Sequence, residues 1–132
     1  MVMIVIKVII GVNAFKTIDH AAVDNVVNGG IIYLAGVTHN VTSEVRISKT
    51  VAIVGQKGTI ITNNRNGVGV FEITANNVEI INCTFANNTV SNYAGVIDNS
   101  GKNFTVSNCT FINNTLSYGS TIHSSGWGLS IC

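Results

Sequence analysis

Proline is absent from the 132 residues, only 10% of them are charged, and no apolar run is long enough to cross a bilayer. Each absence excludes something. Without Pro, chain reversals rest on the eighteen Asn and thirteen Gly, residues suited to the backbone of tight turns. Seven Lys and Arg against six Asp and Glu leave a formal net charge of +1, so there is neither a basic face for nucleic acid nor an acidic tail. The most apolar stretch, Met1 to Phe15, is interrupted by Lys7 and is shorter than the roughly 20 residues of a spanning helix. It lacks the positive start of an export signal, although Val12-Asn-Ala14 resembles a cleavage site. The stretch is therefore either a first β-strand, as its β-branched residues favour, or the remnant of a signal.

What is present is 46% hydrophobic residues, which excludes disorder, and an abundance of Val, Ile and Thr, which reads as short strands joined by polar turns. The decisive feature is a repeat. Asn77-Val-Glu-Ile-Ile-Asn-Cys-Thr-Phe-Ala-Asn-Asn-Thr89 recurs 26 residues later as Asn103-Phe-Thr-Val-Ser-Asn-Cys-Thr-Phe-Ile-Asn-Asn-Thr115, and a third copy starts at Leu129. Two columns of apolar residues carry the register towards the N-terminus: Ile47, Ile73, Ile97 and Ile122, and Val51, Val78, Phe104 and Leu129. Within a copy the alternation changes parity at Asn82, as at a corner between two strands, so each copy reads as three short strands.

A unit this small buries its apolar face only by stacking on its neighbours. The expectation is an all-β, single-stranded parallel β-helix of about four coils, one domain over 1–132. Residues 1–30 form an N-terminal strand and a capping α-helix, and 31–132 form the coils. The helix is placed from Thr17 to Asn28, where Ile18, Ala22 and Val26 recur at four-residue spacing before Gly29-Gly30. Rungs about 4.8 Å apart set like residues over like, predicting ladders of Asn82 over Asn108 and Phe85 over Phe111. Cys83 over Cys109 is expected as a pair of buried free thiols, because a relaxed disulfide brings Cβ atoms to about 3.8 Å. The role of Cys132 is not readable from the pattern.

From Phe15 onwards the chain resembles the pectin-lyase-like superfamily of right-handed parallel β-helices. The resemblance is carried by Phe15-Lys-Thr-Ile-Asp-His-Ala-Ala22, Gly30-Ile-Ile-Tyr-Leu-Ala-Gly36 and Ile47-Ser-Lys-Thr-Val-Ala-Ile-Val-Gly55. Phe85-Ala-Asn-Asn88 and Phe111-Ile-Asn-Asn114 are similar to the FxxN motif of polymorphic outer-membrane proteins and of adhesin-like surface proteins of methanogenic archaea. Ala94-Gly-Val-Ile97 and Gly119-Ser-Thr-Ile122 stand where that family carries Gly-Gly-Ala-Ile and match it incompletely. The resemblance implies a right-handed coil, export, an extracellular or cell-surface location, and contact with glycans or other surface proteins. The chain stops at Cys132 partway through a copy, which reads as a fragment whose C-terminal edge meets the rest of a longer polypeptide or another solenoid.

No catalytic, cofactor or metal site is expected. Two of the six acids, Asp19 and Asp24, are assigned to the cap helix, and Glu44, Glu72, Glu79 and Asp98 are assigned to different columns, so no acid cluster suited to polysaccharide cleavage arises. Asp98 and His123 fall one coil apart and are expected as a surface ion pair; Ser124 and Ser125 beside them raise a relay reading that is set aside. His20 and His39 lie elsewhere in the register, which leaves no three-histidine metal site. Six Asn-x-Ser/Thr sequons occur, at Asn40, Asn82, Asn87, Asn103, Asn108 and Asn113. A repeat rich in Asn and Thr generates such triplets by itself. Asn82 and Asn108 are expected to be hidden in turns, and Asn40, Asn87 and Asn113 are the favoured glycosylation candidates. Gly55-Gln-Lys-Gly58 and Gly67-Val-Gly69 are turn glycines, since no Lys-Ser/Thr pair follows them.

The functional expectation is a non-catalytic adhesin-like surface module that presents Asn, Thr and Ser to glycans or surface proteins. A polysaccharide-active enzyme fragment, pectate lyase-like or a carbohydrate esterase, and a self-associating structural solenoid are the alternatives.

Overall fold

The computed structural model describes residues 7–10, 18, 26–93 and 95–132. Strand β1 is Lys7–Ile10. The next coil holds β2 Gly30–Leu34, β3 Thr38–Asn40 and β4 Val45–Ile47, and the one after it β5 Val51–Gly55, β6 Ile60–Thr62 and β7 Phe71–Ile73. Two further coils carry four strands each: β8 Glu79–Ile81, β9 Thr84–Ala86, β10 Thr89–Val90 and β11 Ile97–Asn99, then β12 Thr105–Ser107, β13 Thr110–Ile112, β14 Thr115–Leu116 and β15 Ile122–Ser124. Strand β16, Ser130–Ile131, begins another rung.

Corresponding strands pair in parallel from coil to coil. They build a six-stranded sheet in the order β1-β2-β5-β8-β12-β16, four-stranded sheets β3-β6-β9-β13 and β4-β7-β11-β15, and a two-stranded sheet β10-β14. The architecture is a parallel β-solenoid of about four turns. The expected N-terminal strand is present as β1, paired with β2. The expected cap helix lies mostly outside the described residues; its C-terminal end, Val26 to Asn28, is coil and turn. Among the described residues no helix is long and apolar enough to cross a membrane.

Local chemistry explains the path. Strands of three to five residues alternate inward and outward, as in Val45, Arg46 and Ile47, which are buried, exposed and buried. The corners need left-handed backbone, which Asn adopts at lower cost than most residues. Asn77, Asn82 and Asn87 in one coil and Asn103, Asn108 and Asn113 in the next all have φ between 52° and 58°. Asn82 and Asn108 therefore lie one over the other, as the repeat predicts, but as exposed corner residues and not hidden ones. Asn40, Asn87, Asn103 and Asn113 are also exposed.

The buried amide ladder uses the other Asn of the FxxN repeat. The Asn63 backbone N–H donates to Asn88 Oδ1 at 2.7 Å, and the Asn88 backbone N–H and Nδ2 both donate to Asn114 Oδ1, at 3.0 and 2.9 Å. Asn114 Nδ2 then donates to the Phe85 carbonyl at 3.0 Å. Beside the ladder, the Phe85 and Phe111 rings stack at 5.0 Å with an interplanar angle of 6°, and Phe71 meets Phe85 edge-on at 6.0 Å. Outside the core, Asn103 Nδ2 donates to Asn77 Oδ1 at 3.3 Å.

One register differs from expectation. Ile97 pairs with Phe71 and Ile122, whereas Ile73 pairs with Ile47 and Asn99. Aligning isoleucine with isoleucine slips that coil by two residues. A two-residue slip keeps every side chain on the same face of the strand, so the inward-outward pattern is blind to it. The break in apolar identity is Asn99, a buried residue whose Nδ2 donates to the Gly101 carbonyl and to Ser124 Oγ, both at 2.9 Å.

Candidate functional site

The corrected register brings together acids that were expected to lie apart. Arg46 on β4 pairs with Glu72 on β7, Glu72 with Asp98 on β11, and Asp98 with His123 on β15. All four stand on the outward face of one sheet. Arg46 Nη2 donates to Glu72 Oε1 at 3.1 Å, and His123 Nδ1 lies 2.8 Å from Asp98 Oδ1. Both pairs are substantially solvated, so each contributes at most about 1 kcal/mol to stability. Their value is positional: they stand in one row across four successive coils, each about 4.8 Å from the next.

Glu44, at the corner preceding β4, completes the group. Its Oε2 is buried with no hydrogen-bond partner, in a space kept open by the absence of a side chain at Gly69; a Cβ there would lie 2.5 Å from that oxygen. Burial raises the Glu44 pKa above the ordinary carboxylate value, and the neighbouring charges of Glu72 and Asp98 and a hydrogen bond to the Glu72 carboxylate raise it further, with Arg46 opposing them. Glu44 therefore gives up its proton less readily in the folded chain than in the unfolded one. The folded chain thus holds a proton that the unfolded chain releases. Stability on this account is fully present below the ordinary carboxylate pKa and falls as pH rises through the raised value. Replacing Glu44 with Gln is expected to raise the melting temperature by a few degrees at pH 8 and to have no such effect near pH 3, as followed by circular dichroism.

Two exposed aromatic rings stand in the segments that lead into β11 and β15. Tyr93 lies between β10 and β11, five positions before Asp98, and Tyr118 lies between β14 and β15, five positions before His123. Their rings stack at 4.5 Å with an interplanar angle of 28°, although they are 78% and 52% exposed. Sequence reading missed this pair; its signal is an aromatic at equivalent places in two copies, Tyr93 and Tyr118, 25 residues apart.

The remaining candidates separate. Ser124 Oγ accepts from Asn99 Nδ2 and donates to the Gly126 carbonyl, while Ser125 Oγ donates to the Asn99 carbonyl, so among the described residues neither joins His123 and Asp98 in a relay. His39 is buried on a different sheet, its Nε2 2.9 Å from the Ala35 carbonyl. Asp19, His20 and Asp24 lie outside the described residues. Among the described residues no group of three His, Cys, Asp or Glu is placed to hold a metal ion. Glu79 stands apart on β8, at the rim of a shallow depression of about 320 Å³ over Ile31, Val51 and Ala52.

The three cysteines are free thiols. The Cys83 and Cys109 thiols act on each other across adjacent coils, which lowers the Cys109 pKa to about 7 and, together with burial, pushes the Cys83 thiol up. Cys132 is exposed.

The class this fold and surface define is a parallel β-solenoid with a charged row and an aromatic pair on its outer wall. No protein-family model, curated protein or solved structure matches the chain.

Proposed function

We propose that the chain is a non-catalytic, adhesin-like β-helix module of an exported surface protein, and that it binds glycans on the outer wall formed by β4, β7, β11 and β15. The observation that carries this reading is the solvent-exposed Tyr93–Tyr118 stack, in the segments that lead into the two strands bearing Asp98 and His123. Two stacked phenol rings left in water offer an apolar platform with polar edges, which suits the C–H faces of sugar rings. Arg46, Glu72, Asp98 and His123 supply donors and acceptors for hydroxyl groups at a regular spacing. The resemblance of the FxxN repeat to adhesin-like surface proteins favours the same reading and adds display on the cell exterior.

The test is affinity electrophoresis in gels cast with neutral, acidic or amino-bearing polysaccharides. Retardation by at least one class is expected, with Tyr93→Ala and Tyr118→Ala each weakening it about tenfold, the loss expected when one stacked ring worth roughly 1.5 kcal/mol is removed. Retardation by none of them, or retardation indifferent to both substitutions, overturns the proposal.

A second reading, a polysaccharide-active enzyme, is favoured by Glu44, whose pKa is raised by burial and by the neighbouring Glu72 and Asp98 carboxylates. The burial of Glu44 argues against it. Glycoside hydrolysis needs both carboxyl groups to flank the sugar bond, whereas Glu44 Oε2 is enclosed at the corner beside Gly69. Sugar release that disappears in Glu44→Gln would establish the enzyme in place of the binding module.

A further inference from the structure

Cys83 and Cys109 occupy the same place in successive coils. Thr84 pairs with Thr110, and Phe85 with Phe111, so the two sulfurs lie one above the other on the inner side of the wall. Cys83 is 1% exposed and Cys109 is half-buried. Cys83 Sγ sits 3.4 Å from the Ile81 carbonyl oxygen, and Cys109 Sγ sits 3.4 Å from that of Ser107. The coil on the other side contributes no side chain: a Cβ at Gly55 would lie 3.1 Å from Cys83 Sγ. The stacked Phe85 and Phe111 rings and the buried Ile80 and Val106 supply apolar surroundings.

The spacing selects the chemistry. Rungs about 4.8 Å apart exceed the Cβ separation of about 3.8 Å in a relaxed disulfide. Two metal–sulfur bonds of about 2.3 Å placed end to end span about 4.6 Å. A zinc ion requires four ligands, and no third His, Cys, Asp or Glu stands near enough among the described residues. Copper in its monovalent state is a soft ion selected by thiolate sulfur, and it accepts two ligands in line.

We propose that Cys83 and Cys109 form a two-coordinate site for a soft monovalent cation of the Cu(I) class, held between the two sulfurs inside the wall. Binding exchanges one cation for one thiol proton, which is released to water; the second sulfur coordinates as the neutral thiol. No electron is transferred, and the assembled site carries no net charge, as an apolar setting demands. The half-buried Cys109 provides the entry point.

The test is an anaerobic titration of the full chain with Cu(I) against a chromophoric Cu(I) chelator. One tightly held ion per chain is expected, with Cys132→Ser unchanged. Losing even a supporting contact of a metal site costs up to about 100-fold in affinity, so removing one of only two ligands in Cys109→Ser is expected to cost at least that. Cys83→Ser puts a hydroxyl in the core, so the deciding variant is Cys109→Ser at its half-buried position, with folding checked by circular dichroism. X-ray absorption of the loaded chain is expected to show two sulfur neighbours. Undiminished affinity in folded Cys109→Ser, dependence on Cys132, or a shell of three or more ligands overturns the site.

Discussion

Replacing Asn88 with Ala is expected to destabilise the solenoid by about 3 to 4 kcal/mol, since each orphaned buried polar group costs about 1–3 kcal/mol. Asn88 is fully buried. It joins three coils: its Oδ1 accepts from the Asn63 backbone, while its Nδ2 donates to Asn114 Oδ1 at 2.9 Å and to the Ile61 carbonyl at 3.4 Å. Truncation leaves the Asn63 N–H and the Ile61 carbonyl without those partners and opens a small void. Asn88→Asp is expected to be at least as harmful, because the carboxylate cannot donate to either oxygen and would carry charge into the core. Against the roughly 5–15 kcal/mol by which domains of this kind are stable, either change is large. Urea denaturation decides the matter through its midpoint. Thr110→Ala, at an exposed position, serves as the control and is expected to move stability by less than about 0.5 kcal/mol. A midpoint for Asn88→Ala matching that control would show that the ladder contributes little.

Phe85→Ala is expected to cost about 3–5 kcal/mol, the usual range for removing a buried ring. Phe85 is enclosed from both directions, stacked on Phe111 and met edge-on by Phe71, so the surrounding coils cannot collapse into the void without breaking their strand pairing. Phe111→Ala is expected to cost visibly less, because Phe111 is only half-buried and water can refill the gap. The order of the two denaturation midpoints therefore reports whether the stack is a core element. Equal losses would mean that the rings matter through strand propensity instead.

Much of the molecule was legible from residue types and spacing. The 26-residue recurrence of Asn-Cys-Thr-Phe-x-Asn-Asn-Thr foretold parallel coils, the Phe85–Phe111 stack and the adjacency of Asp98 and His123. It set Asn82 over Asn108 correctly but hid the wrong asparagine, because Asn82 and Asn88 repeat with the same period and periodicity alone does not say which of the two turns inward. Backbone conformation separates them: Asn82 takes the left-handed corner with φ of 57°, whereas Asn88 is buried and fully engaged in the ladder.

The acid cluster was hidden for a different reason. The coil lengths vary by a residue or two, and matching Ile73 to Ile97 is as good an apolar fit as matching Phe71 to Ile97. With the first choice Glu72 faces Val96; with the second it faces Asp98 and joins Arg46 and His123. By itself, the sequence determined that the chain stacks coil upon coil, because short amphipathic units repeated at a fixed interval have no other way to bury their apolar faces. Only the tertiary structure decided which outward side chains share a row. That choice depends on backbone pairing at a corner where Asn99 interrupts the apolar column, and pairing energy over whole coils, rather than any local preference, settles it.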